Sequence, residues 1–137
     1  RRCTPASMTL ATRPPGCGAP SRSPGVWALA HPRGRLFARR SGVRANWEAV
    51  FAAAAAAGVL VEINGFPRRQ DLDVTLARLA LAAGCDFLLA SDAHHPRHLA
   101  YDEWAVAIAA EAGVPADRIV NFWPRFRLAA RLGLEDR

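Results

Sequence analysis

One pattern recurs along residues 26–132: a short apolar run is followed by a segment with helical periodicity. The apolar runs cover residues 26–30, 59–64, 86–90 and 119–121. Runs of this length are typical of strands that are buried on both faces of a parallel sheet. Strands that alternate with helices of about 10 to 15 residues form right-handed βαβ units. The sequence therefore predicts an α/β fold with four strand–helix units.

Residues that favour helix ends frame the predicted helices. Asn46 and Asp73 are suited to cap the first two helices, and Gly58 and Gly84 mark where these helices end. The other two helices are predicted at about residues 98–112 and 125–132.

A polar residue stands at the end of each predicted strand. His31, Glu62, Asp92 and Asn121 are separated by 31, 30 and 29 residues. Because ligands and catalytic groups collect at the carboxyl ends of parallel strands, this register predicts a site there. A closed barrel needs seven or eight such units and about 200 residues or more. We therefore expect the C-terminal part of a barrel whose N-terminal units are missing from this chain.

Asp92 and His94 are the first candidates for chemistry. They are two residues apart, so in an extended segment both side chains point the same way, and a carboxylate with an imidazole suits a divalent metal. His31 ends a separate strand at the same edge. We predict His31, Asp92 and His94 as metal ligands, with Asp92 and His94 as the catalytic pair. The alternative is that Asp92 caps a turn and His94 lies on a surface loop; His95 and His98 are expected not to be ligands.

Four further residues are candidates for supporting roles. Glu62 and Asn64 lie on one strand face, where Glu62 can accept a proton from a ligand imidazole and so fix its tautomer. A salt bridge from Glu62 to an arginine is the alternative. Arg33 and Arg35 lie in an arginine-rich loop and are candidates to bind phosphate, against the alternative of a solvated loop.

Composition limits the other interpretations. Residues 1–25 contain four arginines, no acid and no apolar periodicity, which predicts a disordered or foreign leader before a domain at 26–137. The net charge of +6 falls to +2 without these residues, since fourteen basic residues then face twelve acidic ones. Three cysteines without C-x-x-C spacing indicate neither a disulfide framework nor a zinc knuckle. No apolar stretch suggests a membrane span or signal peptide, so a cytoplasmic protein is expected. The oligomeric state is not predicted.

Three sequence blocks resemble a known family. They are His-Pro-Arg-Gly-Arg at 31–35, Val-Glu-Ile-Asn at 61–64, and Ser-Asp-Ala-His-His-Pro-Arg-His-Leu at 91–99. Over residues 26–132 the chain resembles the C-terminal part of the PHP domain, in particular the PHP domain attached to bacterial family X DNA polymerases. The resemblance implies a distorted (β/α)7 barrel, a cluster of up to three divalent metals (zinc, manganese or iron) and hydrolysis of phosphoesters.

The resemblance also implies a substrate. Members attached to polymerases imply 3′ to 5′ exonuclease or 3′-phosphatase activity on DNA ends, whereas stand-alone members imply hydrolysis of histidinol phosphate. An inactive PHP remnant with a scaffolding role is a third possibility. The family's opening H-x-H block is expected upstream of His31, but residues 1–25 contain no histidine. We therefore expect the metal cluster to be incomplete in this chain.

Overall fold

The computed structural model describes residues 26–134, which form a mixed α/β fold around a small parallel sheet. The three strands lie in the order β1 (Ala28–Leu29), β2 (Leu60–Asn64) and β3 (Phe87–Ala90). The four α-helices are α1 (Trp47–Ala56), α2 (Val74–Ala82), α3 (Asp102–Ala112) and α4 (Arg125–Leu132). Within residues 26–134, three 3-10 helices cover Pro96–Tyr101, Ala116–Arg118 and Val120–Phe122. The α/β class and the parallel pairing are as predicted.

The predicted caps begin the first two helices. The side chain of Asn46 accepts a hydrogen bond from the amide of Ala49 at 3.1 Å, and Asp73 accepts from Leu76 at 3.0 Å. Each contact satisfies an amide that lacks a partner within the first turn of a helix. These two caps fix where α1 and α2 start after their loops.

The core lies between the sheet and α1, α2 and α3. The central strand β2 is buried along its whole length, and α2 packs between α1 and α3. The largest fully buried apolar side chains are Phe51, Phe87, Ile63, Leu72 and Val61. Burial of a side chain of this size contributes about 1.5–3 kcal/mol, so this cluster is the main source of stability for the sheet.

The predicted fourth strand at residues 119–121 is wrong. Ile119 makes a single parallel bridge to Phe87, and the chain then turns into the 3-10 helix Val120–Phe122. The side chain of Asn121 explains the change, because its amide bonds both the backbone nitrogen (2.9 Å) and the carbonyl (3.0 Å) of Leu89. A side chain thus occupies the positions that a fourth strand's backbone would have used.

The predicted third helix is two elements. A 3-10 helix runs from Pro96 to Tyr101, and only then does α3 begin. The junction lies directly on Gly65, because a Cβ at that position would overlap the carbonyl oxygen of Tyr101. Because Gly65 has no side chain, the backbone at the start of α3 can lie directly against the end of β2.

The two remaining predictions concern the leader and membrane-spanning segments. The predicted leader at 1–25 lies outside the described residues. Within residues 26–134, no helix is both long and apolar enough to cross a bilayer.

Candidate metal centre

The carboxyl edge of the sheet brings His31, Asp92 and His94 together. His31 follows β1, and Asp92 follows β3 at the other side of the sheet. The Nε2 atom of His31 lies 4.0 Å from Oδ1 of Asp92, and the Nδ1 atom of His94 lies 3.9 Å from the same oxygen. One carboxylate oxygen thus faces two imidazole rings.

The backbone at this edge is unusual. His31 and Asp92 both have left-handed φ angles, +48° and +54° respectively. For residues with a side chain this conformation costs about 1–2 kcal/mol. Such strained residues persist only where their surroundings hold them, and Ala38 and Gln70 share this conformation outside the candidate site.

Glu62 holds His31 from beneath. Its buried carboxylate accepts hydrogen bonds from the backbone nitrogen of His31 at 2.7 Å and from the His31 ring, whose Nδ1 lies 2.8 Å from Oε2. This side-chain hydrogen bond raises the pKa of His31 above its ordinary value, against the opposing effect of burial. The contact with Glu62 favours the tautomer with the proton on Nδ1, and Nε2 is the ring nitrogen that lies toward Asp92. The ion pair that Glu62 makes within residues 26–134 is with this histidine and not with an arginine.

Asn64 supports Glu62 from the same strand. Its side-chain nitrogen donates to Oε1 of Glu62 at 3.3 Å, and its oxygen accepts from the backbone nitrogen of Phe66 at 2.9 Å. Asn64 is fully buried, so these contacts satisfy polar atoms that water cannot reach. The two residues predicted to support the ligands therefore lie directly behind His31.

The contact of Arg69 with Asp92 was not predicted from the sequence. Its Nε donates to Oδ2 of Asp92 at 2.8 Å, which leaves Oδ1 facing the two histidines. The Nη1 atom of Arg69 is buried without a hydrogen-bond partner. Arg68 and Arg69 are adjacent in the sequence, and nothing in the pattern indicates that Arg69 turns inward while Arg68 is exposed.

Arg33 and Arg35, the candidate phosphate-binding residues, have partners within the protein. Nη1 of Arg33 donates to Asp73 at 2.7 Å, while Nε of Arg35 donates to the carbonyl of Arg69 at 3.1 Å. Asp71, fully buried, accepts from the backbone nitrogens of Arg33 at 2.7 Å and Arg35 at 2.6 Å. The loop is therefore held in place by specific bonds, and its role in binding phosphate stays a prediction.

The neighbouring histidines have structural partners. The ring of His98 stacks on Tyr101 at 4.9 Å between centroids and meets the edge of Phe66 at 5.6 Å. Nδ1 of His95 accepts from the backbone of Arg97 and caps the 3-10 helix. His94 differs, because its ring is largely exposed and its Nδ1 donates to the carbonyl of Asp92 at 2.7 Å.

The donor types fit a divalent transition metal. Imidazole nitrogen and carboxylate oxygen are ligands that zinc, manganese and iron accept. Glu62 fixes the tautomer of His31 in the way that outer partners fix metal-binding histidines. Among residues 26–134, however, no group of three or more His, Cys, Asp or Glu side chains is close enough to hold an ion.

Comparison of the sequence with protein-family models and with curated proteins gives no match. The similarity to the PHP domain therefore depends on the three sequence blocks themselves.

Proposed function

We propose that this chain is the C-terminal part of a metal-dependent phosphoesterase of the PHP type. Its substrate is the 3′ end of DNA, on which it acts as a 3′ to 5′ exonuclease or a 3′-phosphatase within a family X DNA polymerase. The supporting observation is the position of Asp92, whose Oδ1 faces His31 at 4.0 Å and His94 at 3.9 Å at the carboxyl edge of a parallel sheet. This function belongs to the cytoplasm, which the cysteine pattern also favours.

Each residue has a distinct task in this proposal. His31 through Nε2, Asp92 through Oδ1 and the ring of His94 would hold the metal, together with ligands beyond the described residues. A bound metal would activate water near neutral pH and would offset the charge that develops on the phosphoryl oxygens. Glu62 keeps the proton on Nδ1 of His31, and Arg69 holds Oδ2 of Asp92, so both ligands stay oriented.

The test is hydrolysis by a longer protein that contains this chain, loaded with Mn²⁺ or Zn²⁺, because the metal cluster is expected to be incomplete in this chain alone. The substrates are an oligonucleotide with a 3′-phosphate, the same oligonucleotide with a 3′-hydroxyl, and histidinol phosphate. We expect release of phosphate or of nucleotides from the DNA ends, and loss of this release in His31→Asn. His95→Asn is the matched control, because His95 lies nearby but caps a 3-10 helix. The control is expected to keep the activity within about twofold, as surface changes usually do.

The other outcomes have clear meanings. Hydrolysis of histidinol phosphate without action on DNA ends would contradict the DNA assignment and favour the stand-alone type of PHP enzyme. Absence of both hydrolysis and bound transition metal, in this chain and in a longer protein that contains it, would leave the scaffolding role. Equal loss in His31→Asn and His95→Asn would contradict the assignment of His31.

A further inference from the structure

The segment 119–134 carries charge of one sign. It contains Arg125, Arg127 and Arg131 and no acidic residue. Arg125 and Arg127 are exposed, whereas Arg131 is tied to the carbonyl of Gly58. Two arginines at the start of α4 are therefore available to an anionic partner.

Large aromatic side chains lie beside these arginines without being buried. Phe126 is 76% exposed and Phe122 is 57% exposed. No residue of α4 is buried, so the apolar side chains of this helix do not form part of the buried core. Exposed aromatic rings interleaved with arginines form the pattern by which proteins bind single-stranded nucleic acid.

Trp123 gives this surface a fixed geometry. Its Nε1 donates to the carbonyl of Asp117 at 2.7 Å, and the guanidinium of Arg127 lies 3.7 Å from the centre of its ring. The arginine is thereby held against an aromatic face and loses little freedom when it binds a phosphate. Phe122, Arg125, Phe126 and Arg127, with Trp123 beneath, are named the aromatic–arginine surface.

The aromatic–arginine surface is connected through Asn121 to β3, the strand that precedes Asp92. The side chain of Asn121 bonds the backbone of Leu89 in β3, and Asp92 follows the end of that strand. Phe122 follows Asn121 directly, so the surface begins at the carboxyl end of β3. A strand of nucleic acid held there would run beside the edge that carries Asp92.

We propose that the aromatic–arginine surface binds single-stranded DNA, with bases stacked on Phe122 and Phe126 and phosphates on Arg125 and Arg127. The choice of DNA rests on the proposed function, and the surface would present a strand whose 3′ end is processed. Charge complementarity selects an anion, and the aromatic rings select one that carries bases. An anionic membrane would meet the same charges and apolar side chains, and the vesicle measurement below distinguishes it from DNA.

The experiment is fluorescence anisotropy with a labelled oligothymidylate of about 20 nucleotides, longer than one typical binding site. The full chain is used in EDTA, so that binding is measured without any metal or hydrolysis. We expect affinity to fall as salt rises. Phe126→Ala and Arg127→Gln should each weaken binding at least about fivefold, the lower end for loss of one stacked base.

Two matched controls test whether a loss of DNA binding is specific to this surface. One removes a positive charge elsewhere, and the other truncates an exposed apolar side chain elsewhere. Arg78→Gln removes the same charge from an exposed position on α2, where its Nη2 donates to the carbonyl of Glu111 at 2.7 Å, and Leu99→Ala truncates a side chain that is 64% exposed elsewhere. Both should bind within about twofold of the unchanged protein, as expected for substitutions outside a contact. All four variants change exposed side chains, so folding is checked by their circular dichroism.

Three results would overturn the proposal. In the first, Phe126→Ala binds DNA like the unchanged protein. In the second, Arg78→Gln weakens binding as much as Arg127→Gln, which would indicate charge alone. In the third, vesicles of phosphatidylcholine with about one quarter phosphatidylglycerol bind in a Phe126-dependent way while the DNA does not, which would indicate a membrane surface. DNA binding by this chain, with no hydrolysis of DNA ends by a longer protein that contains it, would contradict the proposed function but not this surface.

Discussion

An aspartate–arginine pair lies near each end of β3, and the two pairs differ in how completely they are satisfied. At the amino end, Arg118 donates to Asp86 at 2.7 Å and also to the carbonyls of Gly84 at 2.7 Å and Cys85 at 2.9 Å. Arg118 therefore donates hydrogen bonds to three acceptors in the turn at residues 84–86. The pair therefore ties the 3-10 helix Ala116–Arg118 to the start of the strand.

At the carboxyl end, the pair of Asp92 with Arg69 is less complete. Arg69 donates through Nε at 2.8 Å, but its Nη1 is buried without a partner. The second oxygen of Asp92 faces His31 and His94, and its backbone is left-handed. The aspartate–arginine pair at the amino end thus stabilises a turn. The pair at the carboxyl end leaves one arginine nitrogen without a partner and a left-handed backbone at Asp92, and both features are typical of functional sites.

The largest expected effect concerns two glycines at opposite ends of β2. Gly65→Ala should lower the free energy of unfolding by about 3 kcal/mol, because the new Cβ meets the backbone of Tyr101, which cannot move without shifting α3. Gly58→Ala is the matched control at the amino end. Its Cβ would meet only the tip of the Arg131 side chain, at 2.9 Å, so a loss of about 1 kcal/mol from its left-handed φ is expected. Urea denaturation measures both, and equal losses would contradict the close approach of Tyr101.

The next effect tests the two aspartates directly. Asp92→Asn should weaken Mn²⁺ binding about 100-fold, since a carboxylate ligand loses its charge. Asp86→Asn, at the other end of β3, should change it less than about twofold, as a site without contact to the metal would. Free Mn²⁺ is followed by electron paramagnetic resonance during the titration. If both substitutions weaken binding alike, the contrast between the two pairs has no functional meaning.

A smaller effect is expected from Glu62. Glu62→Gln should lower Mn²⁺ affinity about tenfold, because the outer partner that orients His31 is weakened. Glu48→Gln provides the control, since Glu48 is an exposed acid in the first turn of α1. The same titration serves for both, and unchanged affinity in Glu62→Gln would argue against an orienting role.

The smallest effect is a pH dependence of stability at His31. The hydrogen bond with Glu62 raises the pKa of His31 in the folded protein above its ordinary value of 6.5. The stabilisation is therefore fully present below about pH 6.5 and is lost as the pH rises through the folded pKa. Nuclear magnetic resonance of the His31 ring measures this pKa, and Glu62→Gln should bring it down toward 6.5. A His31 pKa that is the same in both proteins would mean that Glu62 does not raise it.

Local signals predicted much of the sheet and its helices. Asn46 and Asp73 cap α1 and α2 as expected, since a cap depends on a few neighbouring residues. The prediction of a fourth strand was wrong because the side chain of Asn121 makes a long-range contact with Leu89, which no local pattern reveals. Its apolar run is as suited to a strand as the others, and tertiary contacts decided the outcome.

The candidate site was predicted in part for a similar reason. His31, Glu62 and Asp92 follow from strand register, because residues at the ends of parallel strands meet at one edge. Arg69 and Asp71 lie in the loop after β2, where no periodicity orients a side chain. Their contacts with Asp92 and with the loop of Arg33 arise only when the chain is folded.

The burial of Cys85 offers a means to follow the kinetics of this small core. Its thiol is fully buried against the carbonyl of Phe51, and burial raises its pKa to about 11. A thiol in this state reacts with an alkylating reagent only after the packing around it opens. The rate at which the peptide containing Cys85 becomes labelled, read by mass spectrometry, would therefore report how often α1 separates from the sheet under native conditions.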